Sequence, residues 1–184
     1  MQHIHEQLDQ LNEHIYFDED HFLREKIDEM ELLDEVIAQV RRELLKTENP
    51  DHLCFLYGTL GNLYRLKNEP QQAIKCLEKA LTLADADSSR EIVMLIRLGE
   101  AYKYKHEHQK ALEQFDLAIL KGFEYEPQYL DFAYQHKGKC LMELGLYQEA
   151  MEAFQNAHAV RKGKKDERLL KSTEKAIEFL ERLT

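Results

Sequence analysis

The sequence predicts an all-α protein made of stacked antiparallel helix hairpins, with helices capping both ends of the stack. Three observations carry this reading. The 184 residues include only 7 Gly and 3 Pro, so long stretches lack the residues that punctuate strands and turns. Apolar residues make up 43% of the chain and recur at helical spacing among 33% charged residues. One pattern also occurs three times, at intervals of 38 and 39 residues.

The first copy is Tyr57-x2-Leu60-Gly61-x2-Tyr64 followed by Ala73-x3-Leu77-x2-Ala80. The second is Leu95-x2-Leu98-Gly99-x2-Tyr102 followed by Ala111-x3-Phe115-x2-Ala118. A weaker third runs Tyr134-x2-Lys137-Gly138-x2-Leu141, then Ala150-x3-Phe154-x2-Ala157. In every copy the Gly and the first Ala lie 12 residues apart, and a 3.6-residue period explains the spacing within each half. Each copy therefore reads as a helix hairpin, with Gly61, Gly99 and Gly138 expected to approach Ala73, Ala111 and Ala150 closely. The second Ala of each copy leaves room for the next hairpin.

These residues resemble the tetratricopeptide repeat signature, W-x2-L-G-x2-Y…A-x3-F…P, over roughly residues 54–160. The chain departs from it with Tyr57, Leu95 and Tyr134 at the Trp position, Lys137 and Leu141 in the third copy, and no closing Pro. The resemblance implies a tetratricopeptide-type α-solenoid. Because the hairpin interior is constant, the residues beyond the family's 34 belong between hairpins, in longer helices or looser turns. The expected organisation is an acidic N-terminal helical cap or degenerate hairpin (1–48), three repeats (about 49–86, 87–125 and 126–160) and a C-terminal capping helix (161–184).

Taken in order, residues 2–15 read as a short helix. Phe22, Leu23, Ile27, Met30, Leu33, Ile37, Val40 and Leu44 trace an apolar stripe that predicts a long amphipathic helix from about 20 to 46. Asn49-Pro50 reads as an N-cap followed by a first-turn proline, and Ser88-x2-Glu91 as a capping box. Pro70 and Pro127 suit first turns, and Gly145 falls in the third hairpin turn. The basic run Arg161, Lys162, Lys164 and Lys165 reads as a solvated turn into the last helix, the alternative being contact with nucleic acid or an anionic surface. That helix carries Leu169, Ala176, Ile177, Leu180 and Leu183 on one side.

The charge is −10 overall, yet residues 1–48 hold 14 Asp+Glu against 5 Lys+Arg, while the remainder holds 21 against 20. This argues against nonspecific binding to nucleic acid. No apolar run approaches the roughly 18 residues of a membrane span, and the polar N-terminus suggests a cytoplasmic protein. Cys54, Cys76 and Cys140 are far apart and expected to be reduced. His3-x-His5 and His106-x-His108 cannot share a helix face and have no third ligand nearby, so they read as surface histidines and no metal or cofactor is expected. No phosphate loop, nucleophile elbow or Cys/His signature is present, and the chain is not expected to be an enzyme.

The resemblance implies that the first helix of each repeat lines a concave groove. It assigns to that groove Phe55, Asn62 and Arg65 in the first copy, and Val93, Arg97, Glu100, Lys103 and Tyr104 in the second. Phe132, His136 and Lys139 come from the third. A groove with this excess of cations among aromatic residues implies a protein or peptide partner with an acidic or carboxyl-terminal segment. The family's clamp for chaperone tails is matched only at Asn62. The expected function is thus a protein- or peptide-binding scaffold. The alternative is a regulatory peptide sensor, similar to the tetratricopeptide portion of bacterial response-regulator phosphatases and pheromone receptors. The acidic first 48 residues have two readings: a cap on the stack, or a segment that leans on the basic groove and competes with ligand. An exposed apolar end of the stack would also allow a two-fold homodimer.

Overall fold

The computed structural model of the protein describes residues 2–184, with side chains from His3 onward. It resolves into two compact units, one ending at Asp85 and the other beginning at Ala86. In the first unit, α1 (Gln2–Asn12) leads into a β-hairpin of β1 (Ile15–Asp18) and β2 (Arg24–Ile27). The helices α2 (Met30–Leu44), α3 (Pro50–Leu66) and α4 (Pro70–Leu83) follow.

The β-hairpin corrects the helix expected from residue 20. Ile15, Tyr16 and Phe17 favour extended backbone, and they pair antiparallel with the second strand in the register Ile15↔Ile27 to Asp18↔Arg24. Between the strands, a 3-10 turn over Glu19–His21 is capped by the Asp18 carboxylate, which accepts from the Asp20 N–H at 3.0 Å. Phe22 and Leu23 then take left-handed backbone angles, with φ of 53° and 59°. No helix passes through two such residues. The stripe from Phe22 to Ile27 is thus apolar for another reason: Leu23 and Ile27 are buried from a hairpin, and the helix begins at Met30.

The second unit contains α5 (Ser89–Tyr104), α6 (His108–Glu124), a 3-10 turn at Pro127–Tyr129, α7 (Leu130–Glu143), α8 (Tyr147–Lys164) and α9 (Glu167–Glu181). The caps anticipated from sequence form: Asn49 Oδ1 accepts from His52 N at 3.0 Å, and Ser88 Oγ from Glu91 N at 3.2 Å. Within the hairpins α3/α4, α5/α6 and α7/α8 the connections are residues 67–69, 105–107 and 144–146. Asn68, His106 and Gly145 occupy the left-handed position of these turns, with φ of 62°, 63° and 74°.

The repeated glycines work differently from the small-against-small contact expected. A Cβ on Gly61 would stand 2.5 Å from Leu77 Cγ, one on Gly99 2.5 Å from Phe115 Cε1, and one on Gly138 2.6 Å from Phe154 Cε1. Each glycine is therefore a socket for the large side chain four residues after the alanine. The alanine lets the backbones close: Ala73 offers its carbonyl oxygen 3.1 Å from the same imagined Cβ, and Ala73, Ala111 and Ala150 are wholly buried.

The basic run is also corrected. Arg161, Lys162 and Lys164 belong to the end of α8, and Arg161 is buried. Its Nε donates to Asp131 Oδ2 at 3.0 Å, and its Nη1 to the Leu169 carbonyl at 2.9 Å and Thr173 Oγ1 at 2.8 Å. Lys164 Nζ meets the other Asp131 oxygen at 2.5 Å. Burial pulls the Arg161 pKa below its usual value, and the Asp131 carboxylate opposes that pull. This network ties α7, α8 and α9 together, alongside the buried Ala176, Phe179 and Leu180. Phe179 and Thr173 are buried although they lie outside the stripe read from the sequence.

Candidate functional site

Residues of α5 and α7 line a half-open cavity of about 250 Å³, with Val93, Ile96, Arg97 and Glu100 from α5 and Phe132 and His136 from α7. Tyr129, from the 3-10 turn ahead of α7, completes the wall. Helical periodicity puts residues 93, 96, 97 and 100 on one side of α5, and 132 and 136 on one side of α7. Tyr129 was not anticipated because it precedes the periodic segment. Its signal was an aromatic residue two positions after Pro127.

Two of the lining rings, His136 and Phe132, have charged or aromatic neighbours. His136 Nδ1 lies 3.2 Å from Glu100 Oε1, and its ring stacks on Phe115 with centroids 6.3 Å apart. Phe132 is held by the cations of α8, with Arg161 Cζ 5.4 Å and Lys164 Nζ 5.1 Å from its ring centre. Three of the predicted groove residues in this unit do not line the cavity. Lys103 is 1% exposed and Lys139 4%, and Tyr104 is buried. Lys103 Nζ is 3.8 Å from Glu143 Oε1, while His108 Nε2 holds Glu143 Oε2 at 2.9 Å.

The expectation that Lys103 and Lys139 stand open in a basic groove is therefore corrected: both are buried. A buried charge left unpaired costs several kcal/mol, so a lysine on a face that closes against another helix takes a carboxylate partner. Arg97 remains half-buried in the cavity lining. His108 is likewise no simple surface histidine, being half-buried against Glu143.

In the first unit, Phe55 is half-buried with the His5 ring 5.0 Å away. Arg65 is 2% exposed and donates through Nη2 to Glu25 Oε2 at 2.6 Å. Asn62 Oδ1 accepts from Arg65 Nε at 3.1 Å and from Nη2 at 2.8 Å. A separate cleft of about 360 Å³ lies among Asp34, Arg41, Tyr64, Lys67 and Gln72, but Lys67 is already paired with Asp34 at 2.7 Å. Among the described residues, no three His, Cys, Asp or Glu side chains gather where they could hold a metal ion. No helix among them is long and apolar enough to cross a membrane.

Comparison with known proteins agrees with this architecture. Two family models, both described as tetratricopeptide repeat, match residues 51–120 and 133–157, together just over half of the chain. A search of curated proteins finds no match. Among solved structures, the apo form of RapI is similar with a TM-score of 0.68 at 16% identity over 84% of this chain. This chain spans 58% of the length of that RapI chain. BtubC (BKLC) from P. vanneervenii gives a TM-score of 0.58 at 17% identity, covering 83% of this chain and 68% of that one. The Sgt2 TPR domain from Aspergillus fumigatus gives 0.51 at 25% identity, covering 74% of this chain and 83% of its own. With the glycine sockets, the three-residue hairpin turns and both repeat models in agreement, the chain belongs to the tetratricopeptide repeat family.

Proposed function

We propose that this chain is a protein-interaction scaffold that receives a peptide segment between α5 and α7, inserting one apolar or aromatic side chain beside Arg97. The observation that carries the reading is the cavity, whose walls are Val93, Ile96, Tyr129 and Phe132 with Arg97 in the lining. At about 250 Å³ it falls below the roughly 300–1,000 Å³ of sites for drug-sized ligands, and fits a side chain better than a cofactor. Aromatic walls are where peptide anchors gain most, by excluding water around a rigid surface. The guanidinium of Arg97 suits a carboxylate near that anchor. Membership of the tetratricopeptide repeat family supports a protein or peptide partner.

The test is a peptide library in which an aromatic or aliphatic residue neighbours Asp or Glu, screened against the wild type and Arg97→Glu. Arg97→Glu should weaken the peptides retained by the wild type by about tenfold or more, the effect of losing an interfacial hot spot. Equal binding by both proteins would remove the cavity from the function. Small-angle scattering of the same complexes tests the regulatory alternative, which requires a peptide-induced change of shape.

A further inference from the structure

The face of α3 that carries Phe55, Asn62 and Arg65 is met at two points by the chain's own N-terminal segment. At one end His5 of α1 sets its ring 5.0 Å from Phe55. About 15 Å further along the helix, Glu25 of β2 accepts from Arg65. The guanidinium is aimed by Asn62, whose Oδ1 accepts two of its N–H groups. An arginine steered by an amide and closed by a carboxylate has the arrangement with which proteins receive an anionic ligand. Here the anion comes from the same chain.

The strength of this contact decides what kind of element it is. Ile4, Leu11, Leu23 and Ile27 are all buried. Apolar burial does not depend on ionic strength, and the Arg65–Glu25 pair is itself largely buried and so only weakly screened. The segment is thus anchored by its apolar residues, and Glu25 is carried into place by them. Added salt will not lift it away.

We propose that residues 3–27 form a tethered internal ligand of α3, with Glu25 filling a carboxylate-binding site built from Arg65 and Asn62. The first repeat is thereby closed to acidic peptides in the resting protein. The inference concerns the unit that lacks the α5/α7 cavity, so it stands or falls apart from the function proposed above.

Acetate is the probe, used on the full chain. In Glu25→Ala the vacated site should take up acetate: its unfolding midpoint should rise in sodium acetate relative to sodium chloride at equal ionic strength. The wild type should show no such difference, and Glu25→Ala combined with Arg65→Met should lose it. If Glu25→Ala does not fold, Glu25→Ser is the second variant, which still removes the carboxylate and vacates the site, and the 15N signal of Arg65 Nε reports occupancy directly. Acetate should shift that signal with an apparent affinity about tenfold above that of the wild type. Identical acetate responses in variant and wild type, or an Arg65 signal that acetate leaves unmoved, overturn the proposal.

Discussion

A single methyl group tests the hairpin packing at its tightest point. Added to Gly99, it would lie 2.5 Å from Phe115 Cε1, and the ring is wholly buried with no free direction to turn. Gly99→Ala should therefore cost about 1–3 kcal/mol through overpacking, read from urea denaturation. That sign is opposite to the usual gain from Gly to Ala inside a helix. Gln135 on α7 makes a complementary case. It is buried, and neither atom of its amide finds a hydrogen-bond partner. An unsatisfied buried amide costs about 1–3 kcal/mol, so Gln135→Met, similar in length and apolar, should stabilise the protein by about 1 kcal/mol or more in the same denaturation experiment.

At the scale of elements, the hairpin of β1 and β2 depends on Asp18, which meets both Lys26 and His21. The Lys26 ammonium hydrogen-bonded to it holds the Asp18 carboxyl below its usual value of 3.8, against the opposing effect of desolvation. For a depressed carboxylate the stabilisation is complete above the unfolded value and disappears as pH falls through the folded one. Amide shifts of Tyr16, Phe17 and Lys26 should thus hold steady down to about pH 4 and change together below it, and Asp18→Asn should abolish that step. The hairpin also marks where the sequence ceases to be legible. The repeats could be read because Gly, Ala and aromatic positions recur at fixed intervals within each hairpin. The left-handed Phe22 and Leu23 carry no Gly, Asn or Asp to announce them, and four-residue strands are too short for alternation to outvote a helical stripe. The candidate site was legible as a face and not as a charge pattern. Arg65 meets Glu25 across 40 residues and Lys103 meets Glu143 of another helix, so a list of groove cations overlooked the carboxylates that cancel them. Tyr129 escaped because a 3-10 turn, not a helical period, delivers it.

At the scale of the whole molecule, the chain has two bodies of internal packing, divided between Asp85 and Ala86. Each holds its own buried residues, Leu33, Leu63 and Leu77 in one and Phe115, Phe154 and Leu180 in the other. Native-state hydrogen exchange should then sort the protected amides into two sets whose opening energies are distinct, one for each unit. A single shared opening energy across all helices would contradict that division. The glycine sockets have a further consequence for how the second unit assembles. Gly99 and Gly138 are each filled by a phenylalanine approaching in the same manner, so shape alone does not tell Phe115 from Phe154. The right mate is selected by nearness along the chain, through the brief links at 105–107 and 144–146. Deleting Glu107 would deny Phe115 its neighbouring socket and send it to Gly99 of a second molecule. Such a chain should emerge from size exclusion as a reciprocally exchanged dimer at high concentration.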